Sequence, residues 1–406
     1  MKEFSEQMSA WGKGAPGDVF RVFLKLGLSA FGGPIAHLGY FRDELVVRRK
    51  WLSEEGYADL VALCQFLPGP TSSQVGFALG LLRGGPLGAL AAWAAFTLPS
   101  ALLLVVFALL APTSSGWFAE GLLQGLKLVA VVIVAHAVWG MARTLTPDWQ
   151  RVGIALGAAL IAVLAAGVVG QVAAIGFGVL AGLALCRGLL VSEPAVLSFG
   201  ISRACAGLCL FTFLLLLVGL PLVAVRVDSP ALFVFDAFYR SASLVFGGGH
   251  VVLPLLQAEV VAPGWVSDDV FLAGYGAAQA LPGPLFTFAA YLGVAMEPVP
   301  GGFVMAALGL VAIFLPGFLL LVGVLPFWSE LGKQAVVRAA MRGANAAVVG
   351  LLAAALFDPL WTHAVFDVYD VVLVGLGLLV LSVWKAPPLA VVLLVAAGGV
   401  VLPLIR

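Results

Sequence analysis

Stretches of about twenty apolar residues recur along the whole chain, each long enough to cross about 30 Å of hydrocarbon as a helix. A soluble fold of 406 residues could not cover them: 62% of the residues are hydrophobic and 10% charged, where soluble domains carry roughly 25% charged residues. The mean hydropathy is +1.11. The lipid bilayer is therefore the solvent. Lys+Arg 21 against Asp+Glu 21 leaves no basic face for nucleic acid. Cys64, Cys186, Cys205 and Cys209 sit in apolar segments. No Cys/His cluster has ligand spacing, so neither a disulfide framework, a metal site nor a cofactor is expected. Residues 1–18 are polar and read as a cytoplasmic tail.

The chain also repeats itself. Phe-Gly-Gly at Phe31, Gly32 and Gly33 returns at Phe246, Gly247 and Gly248. Leu-Pro-Gly-Pro, with Pro68, Gly69 and Pro70, returns with Pro282, Gly283 and Pro284. Trp51 and Ser53 fall on Trp265 and Ser267, Phe96–Ser100 on Ile313–Gly317, and Gly125 on Gly343. Rare residues matching in the same order mark two copies of one unit, residues 19–190 and 234–406. Residues 191–233 form a linker with a connecting transmembrane helix.

Loop charges orient the copies, because cytoplasmic loops are enriched in Lys and Arg. After the first FGG segment stand Arg42, Arg48, Arg49 and Lys50; the matching loop of the second copy has Glu259, Asp268 and Asp269 instead. The copies are expected to be inverted. Four stretches (18–47, 57–82, 231–256 and 268–296) have Gly/Pro breaks at their centres and read as re-entrant hairpins; the rival, in which they cross fully, would put Arg42, Arg48, Arg49 and Lys50 outside, against the charge bias. Nine unbroken stretches read as spans, near 86–111, 118–142, 150–168, 170–187, 203–225, 300–326, 334–357, 368–384 and 388–405. The expected fold is an all-α polytopic membrane protein of two inverted-topology repeats, each with two Gly/Pro-broken re-entrant helical hairpins and about four transmembrane helices.

Broken helices at matching places in inverted repeats point to a transporter's midplane site. Half-helices beginning after Pro34, Pro70, Gly249 and Pro284 would present free N–H groups and a positive dipole end to an anion. Thr71, Ser72 and Ser73 suit N-cap positions and offer hydroxyl donors, where the second copy has Leu285, Phe286 and then Thr287. Gln65 and Gln279 correspond, as do Lys25 and Arg240. The two cations either belong to the pathway or snorkel to the interface. His250 and His37 follow the two FGG segments; each could carry a proton or be a satisfied polar ring. Lys127, inside a span and aligned with Asn345, needs a polar partner or a cavity. Asp236 aligns with Arg21, a reversal expected of interfacial charges, and His136 reads as structural.

On these motifs, FGGP at Phe31–Pro34 with its basic stretch and Gln65 to Pro70, both duplicated, the chain resembles the chromate ion transporter family in its long form. The resemblance covers essentially the whole chain. It implies export of chromate from the bacterial cytoplasm across the inner membrane, with sulfate as the close analogue; a homodimer is one assembly it allows. Transporters or channels for sulfate, molybdate or an organic acid would share the same features. No HExxH, GxSxG or GxxxxGK[ST] motif occurs, so neither an enzyme nor an ATP-driven pump is expected.

Overall fold

The computed structural model describes residues 14–31, 33–110, 116–165, 168–186, 199–227, 229–246, 249–296, 302–331 and 334–402. Gly32, Gly247, Gly248 and most of the expected N-terminal tail lie outside them. Among the described residues every regular element is helical. The first copy runs α1 (Pro16–Ser29), α2 (Gly33–Phe41, prolonged by a π-helical segment Arg42–Arg48), α3 (Glu54–Phe66), α4 (Thr71–Leu110), α5 (Trp117–Leu145), α6 (Trp149–Leu164) and α7 (Val168–Leu185). Helix α8 (Arg203–Ala224) follows. The series then recurs as α9 (Pro230–Ser243), α10 (Val252–Val260), α11 (Asp268–Ala280), α12 (Phe288–Ala295) and α13 (Phe303–Val324). After the short α14 (Trp328–Leu331) come α15 (Ala335–Ala355), α16 (Thr362–Ala364), α17 (Val368–Ser382) and α18 (Pro388–Val401).

The same chemistry starts the same helix in each copy. Proline opens α1 and α9, where its fixed φ suits the first turn and its missing N–H is not needed. Ser53 caps α3 by accepting from the Gly56 amide, and Ser267 caps α11 by accepting from Val270. Asp148 caps α6 and Asp367 caps α17. The repeat is thus written into the helix boundaries as well as the motifs.

The broken stretches of the first copy are re-entrant. The Gly14 amide donates to the Arg83 carbonyl at 3.2 Å, and the Arg83 guanidinium lies 5.7 Å from the centre of the Trp51 ring. Both hairpins therefore begin and end at one mouth. Gly84 and Gly85 (φ 63°) then turn the chain inside α4, so that Gly80 packs against Gly88 and Ala92. Helix α4 is two antiparallel pieces, 71–83 and 86–110. The second copy makes the same reversal, with Gly293 against Met305 and Ala306.

The two mouths lie at opposite ends of the molecule. From Pro86 at the first mouth, α4 passes the breaks at Phe96 and Ser100, which touch Gly27 and Gly283. It continues to Phe107, stacked on Tyr291 at 5.9 Å. The Tyr291 hydroxyl donates to the Val270 carbonyl at 2.9 Å, beside the start of α11 at the second mouth. Pro86 to Phe107 spans about 31 Å at 1.5 Å per residue, about the hydrocarbon thickness of a bilayer.

The copies also exchange partners. Helix α5 packs on α17 and α18, while α15 packs on α6 and α7. At the crossings Gly125 meets the backbone of Ala396, and Gly343 meets that of Gly178 and Gly182, with no room for a Cβ. Small residues allow such close approach between helices in lipid, which is why glycine stands at both repeat positions. Reciprocal contact of this kind is the signature of two-fold symmetry, here within one chain.

Among the described residues, five helices are long and apolar enough to cross a membrane: Thr71–Leu110, Trp117–Leu145, Arg203–Ala224, Phe303–Phe327 and Ala335–Ala364. The expected spans near 150–168, 170–187, 368–384 and 388–405 form shorter helices, Trp149–Leu164, Val168–Leu185, Val368–Ser382 and Pro388–Val401, below the ~20 residues of a full crossing. The chain is an all-α polytopic membrane protein.

Candidate functional site

The four interruptions meet. Proline cannot donate a backbone hydrogen bond and forces the preceding residue out of the helical region, so α3 stops at Phe66 and α11 at Ala280. Between each pair of prolines the glycine takes a positive φ, 118° at Gly69 and 104° at Gly283, which side chains oppose. The Gly69 amide donates to the Val245 carbonyl at 2.7 Å, and the Gly283 amide to Ala30 at 3.0 Å. Val245 and Ala30 hold the same repeat position, immediately before Phe246 and Phe31. Each LPGP corner is therefore bonded to the FGG corner of the other copy.

A third pair of segments backs this knot. A Cβ on Gly69 would stand 3.0 Å from the Gly317 Cα, and one on Gly283 2.6 Å from the Ser100 Oγ. Ser100 and Gly317 are again repeat counterparts, each following a proline inside its helix, Pro99 and Pro316. Pro68, Pro70, Pro282 and Pro284 are buried. The convergence expected from the sequence is present, with one correction. The amides of Gly69 and Gly283 are not bare, because they tie the copies together.

The side chains divide into clamps and open-ended groups. His37, 1% exposed, has Nε2 3.1 Å from the Ala30 carbonyl. A carbonyl only accepts, so Nε2 carries the proton and Nδ1 accepts from the Ser72 hydroxyl at 3.3 Å. Thr71 donates to the Cys64 carbonyl at 3.5 Å and Thr287 to Pro284 at 2.8 Å. These hydroxyl protons, expected to face an anion, go to protein acceptors instead. Ser73, 3% exposed, keeps its Oγ unpartnered beside them.

Gln74 was not singled out from the sequence. It is fully buried, and its Nε2 donates to Pro68 at 3.0 Å and across the copies to Gly317 at 3.1 Å. Its counterpart by the repeat offset is Phe288, so motif matching passed over it; a polar side chain one turn into an apolar helix was the available signal.

His250 is placed differently from His37. Its Nδ1 lies 2.8 Å from the Tyr275 hydroxyl and 3.4 Å from the Gln279 Nε2. Two donors on Nδ1 leave the proton on Nε2, which lies 3.9 Å from the Cβ position of Gly33. That N–H faces the start of α2, where φ at Gly33 is 76°. Phe31, Pro34 and Phe246 are half-buried around the junction, and Gly249 opens a 3-10 turn at Gly249–Val251.

Other sequence candidates lie away from the knot. Gln65 and Lys25 are exposed. Arg240 is held by Asp236 at 2.9 Å and Glu259 at 3.1 Å, and Asp236 is 4% exposed. Lys127 finds the polar partner it needs in Asp269, at 2.6 Å. The His136 Nδ1 lies 3.1 Å from the Ser382 hydroxyl. A cavity of about 790 Å³ lies between α6, α10 and α15, lined by Gln171, Gln257, Asp268 and His363 among others.

Comparison with known proteins agrees with this two-copy geometry. The Chromate transporter family matches residues 17–183 and again 232–401. The "Chromate transport protein" of Pseudomonas aeruginosa is 30% identical over 395 residues, 94% of this chain and 90% of the relative. The "Probable chromate transport protein" of Synechococcus elongatus is 29% identical over 399 residues, 94% of each chain. The "Uncharacterized transporter YwrA" of Bacillus subtilis is 31% identical over 184 residues, 43% of this chain but 98% of the relative, about the size of one copy. No solved structure matches the chain. With each half matched separately and the whole length aligned to such relatives, the chain belongs to the chromate transporter family.

Proposed function

We propose that the protein is a secondary transporter that exports chromate across the bacterial inner membrane by alternating access, with sulfate as a competing analogue. The observation that carries this reading is the reciprocal bonding of Gly69 to Val245 and Gly283 to Ala30. It joins hairpins that enter from opposite ends of the molecule. Irregular backbone at membrane depth persists only where protein or a wet cavity satisfies it. The anion is held next to this knot by the remaining first-turn amides of α2 and α4, the Ser73 hydroxyl and the His250 Nε2–H. These groups supply donors and positive dipole ends without a fixed cation, so release does not have to break an ion pair.

Residues 19–190 and 234–406 act as the two inverted repeats, with 191–233 connecting them. The mouth that carries Arg42, Arg48 and Arg49 faces the cytoplasm, by the enrichment of cations on that side, and so does the N-terminal tail. Moving a dianion out of a cell with a negative interior releases roughly 4–5 kcal/mol at about 100 mV. That sustains a gradient of about three orders of magnitude at 1.4 kcal/mol per tenfold. The relatives' names as transport proteins support transport rather than catalysis. The buried corners, closed by hydrogen bonds, oppose a continuous pore. The test is chromate flux from proteoliposomes under an imposed potential. Saturable, potential-accelerated flux that sulfate inhibits is expected; non-saturating flux, or indifference to the potential, would refute the mechanism.

A further inference from the structure

The two copies hold the same helices but do not pack them alike. In the second copy α11 lies along α5. Gly276 sits against the Leu126 carbonyl with no space for a Cβ, Leu272 is fully buried, and Lys127 bridges to Asp269 at 2.6 Å. The repeat offset of 214 carries Asp269, Leu272, Gly276 and Gln279 onto Glu55, Ala58, Ala62 and Gln65. These four form one stripe of α3 by their helical spacing, and all four are exposed.

The counterpart of α5 is α15, where Ala344 and Asn345 stand at the positions of Leu126 and Lys127. The Asn345 Oδ1 is buried without a partner. Lipid does not explain the bare stripe. Helix α8 shows what lipid-facing surface looks like in this chain, exposing Leu208, Phe211, Leu214, Leu215 and Val218. A carboxylate, two alanines and an amide belong against water or against another helix.

We infer that this asymmetry is the access gate of the site proposed above, and that it rests on that alternating-access reading. The stripe Glu55–Ala58–Ala62–Gln65 lines a water-filled route from the first mouth to the knot. The second mouth is sealed by α11 on α5 and latched by Lys127–Asp269. Transport exchanges the two arrangements: α11 leaves α5, and α3 docks on α15 with Glu55 reaching Asn345. Both arrangements come from one repeated unit, so their free energies lie close, as a two-state transporter requires.

The experiment uses full-length protein in liposomes with Cys64, Cys186, Cys205 and Cys209 replaced by alanine. Gln65→Cys or Gln279→Cys is added, and labelling by a membrane-impermeant thiol reagent is followed. Gln65→Cys is expected to label and Gln279→Cys to be protected. Adding Lys127→Ala raises labelling at position 279 about threefold to fivefold, the weight of a partly exposed ion pair, and lowers it at 65. Cross-linking a Lys127→Cys/Asp269→Cys pair stops flux, and reductant restores it. Equal labelling at 65 and 279, protection of Gln65→Cys by a second copy of the chain, or flux that ignores the cross-link would overturn the gate. If labelling follows the expected pattern while chromate does not move, the substrate assignment fails and the gate stands.

Discussion

Replacing Gly283 with alanine tests the knot most directly, because two separate penalties fall on one methyl group. A non-glycine residue held at φ 104° costs about 1–3 kcal/mol in backbone strain. The new Cβ would also lie 2.6 Å from the Ser100 Oγ and 3.2 Å from the Phe96 carbonyl, and overpacking of this kind costs about 1–3 kcal/mol. Gly283→Ala should thus destabilise by about 2–6 kcal/mol. Ser100→Ala alone should cost only about 0.5–1.5 kcal/mol, the hydrogen bond that Ser100 donates to the Thr97 carbonyl. Together the steric part is relieved, so the double variant should be less damaged than the sum by about 1–3 kcal/mol. Reversible unfolding in mixed micelles, with chromate flux of the reconstituted variants alongside, reads the cycle. Additivity within about 0.5 kcal/mol would mean that the second LPGP corner does not touch the first copy, and the convergence behind the proposed site would be refuted.

Other substitutions separate clamps from bystanders. Gln74→Leu should destabilise by about 1–3 kcal/mol for the Pro68 carbonyl it leaves unsatisfied, and it also removes the bond to Gly317 across the copies; unchanged unfolding would show that those bonds carry nothing. Gly33→Leu and Gly69→Leu should abolish flux in protein that still inserts, and wild-type flux would remove those corners from the mechanism. Arg240→Ala leaves Asp236 and Glu259 facing each other and should cost about 3–5 kcal/mol, whereas Lys25→Ala, at an exposed position, should stay within about 0.5 kcal/mol; a matching flux defect in both would restore the pair to the pathway. Asp148→Ala should cost about 1 kcal/mol through the lost helix cap. Arg151, donating to the Asp148 carboxylate, holds that carboxyl below its ordinary pKa. Its stabilisation is therefore present at neutral pH and fades as the pH falls through the depressed value; a wild-type acid-unfolding profile that Asp148→Ala leaves unaltered would refute this.

Several of these particulars were legible in the residues alone. The FGG and LPGP breaks had to be satisfied by protein because lipid offers no hydrogen bonds, and the matched glycines Gly125 and Gly343 turned out to be the two close crossings between copies. Gln74 was hidden, since its importance comes from a contact 243 residues away and its repeat counterpart is a phenylalanine. The roles of His37 and His250 could not be separated in the sequence, where both simply follow a glycine motif. Packing separates them: one ring is spent on Ala30 and Ser72, while the other is turned by Tyr275 to face Gly33.

Composition and repetition alone determined that this chain lives in a bilayer, that it is one unit used twice, and that its interruptions belong together. Those properties follow from local rules, namely hydropathy against helix length and the backbone limits of glycine and proline. Which corner amides bond across the copies and which cations pair with which carboxylates were decided only by the tertiary structure. The bonds across the copies depend on segments far apart in the chain meeting at hydrogen-bond distance, as Lys127 and Asp269 do, and two copies of one unit that carry different side chains need not pack alike.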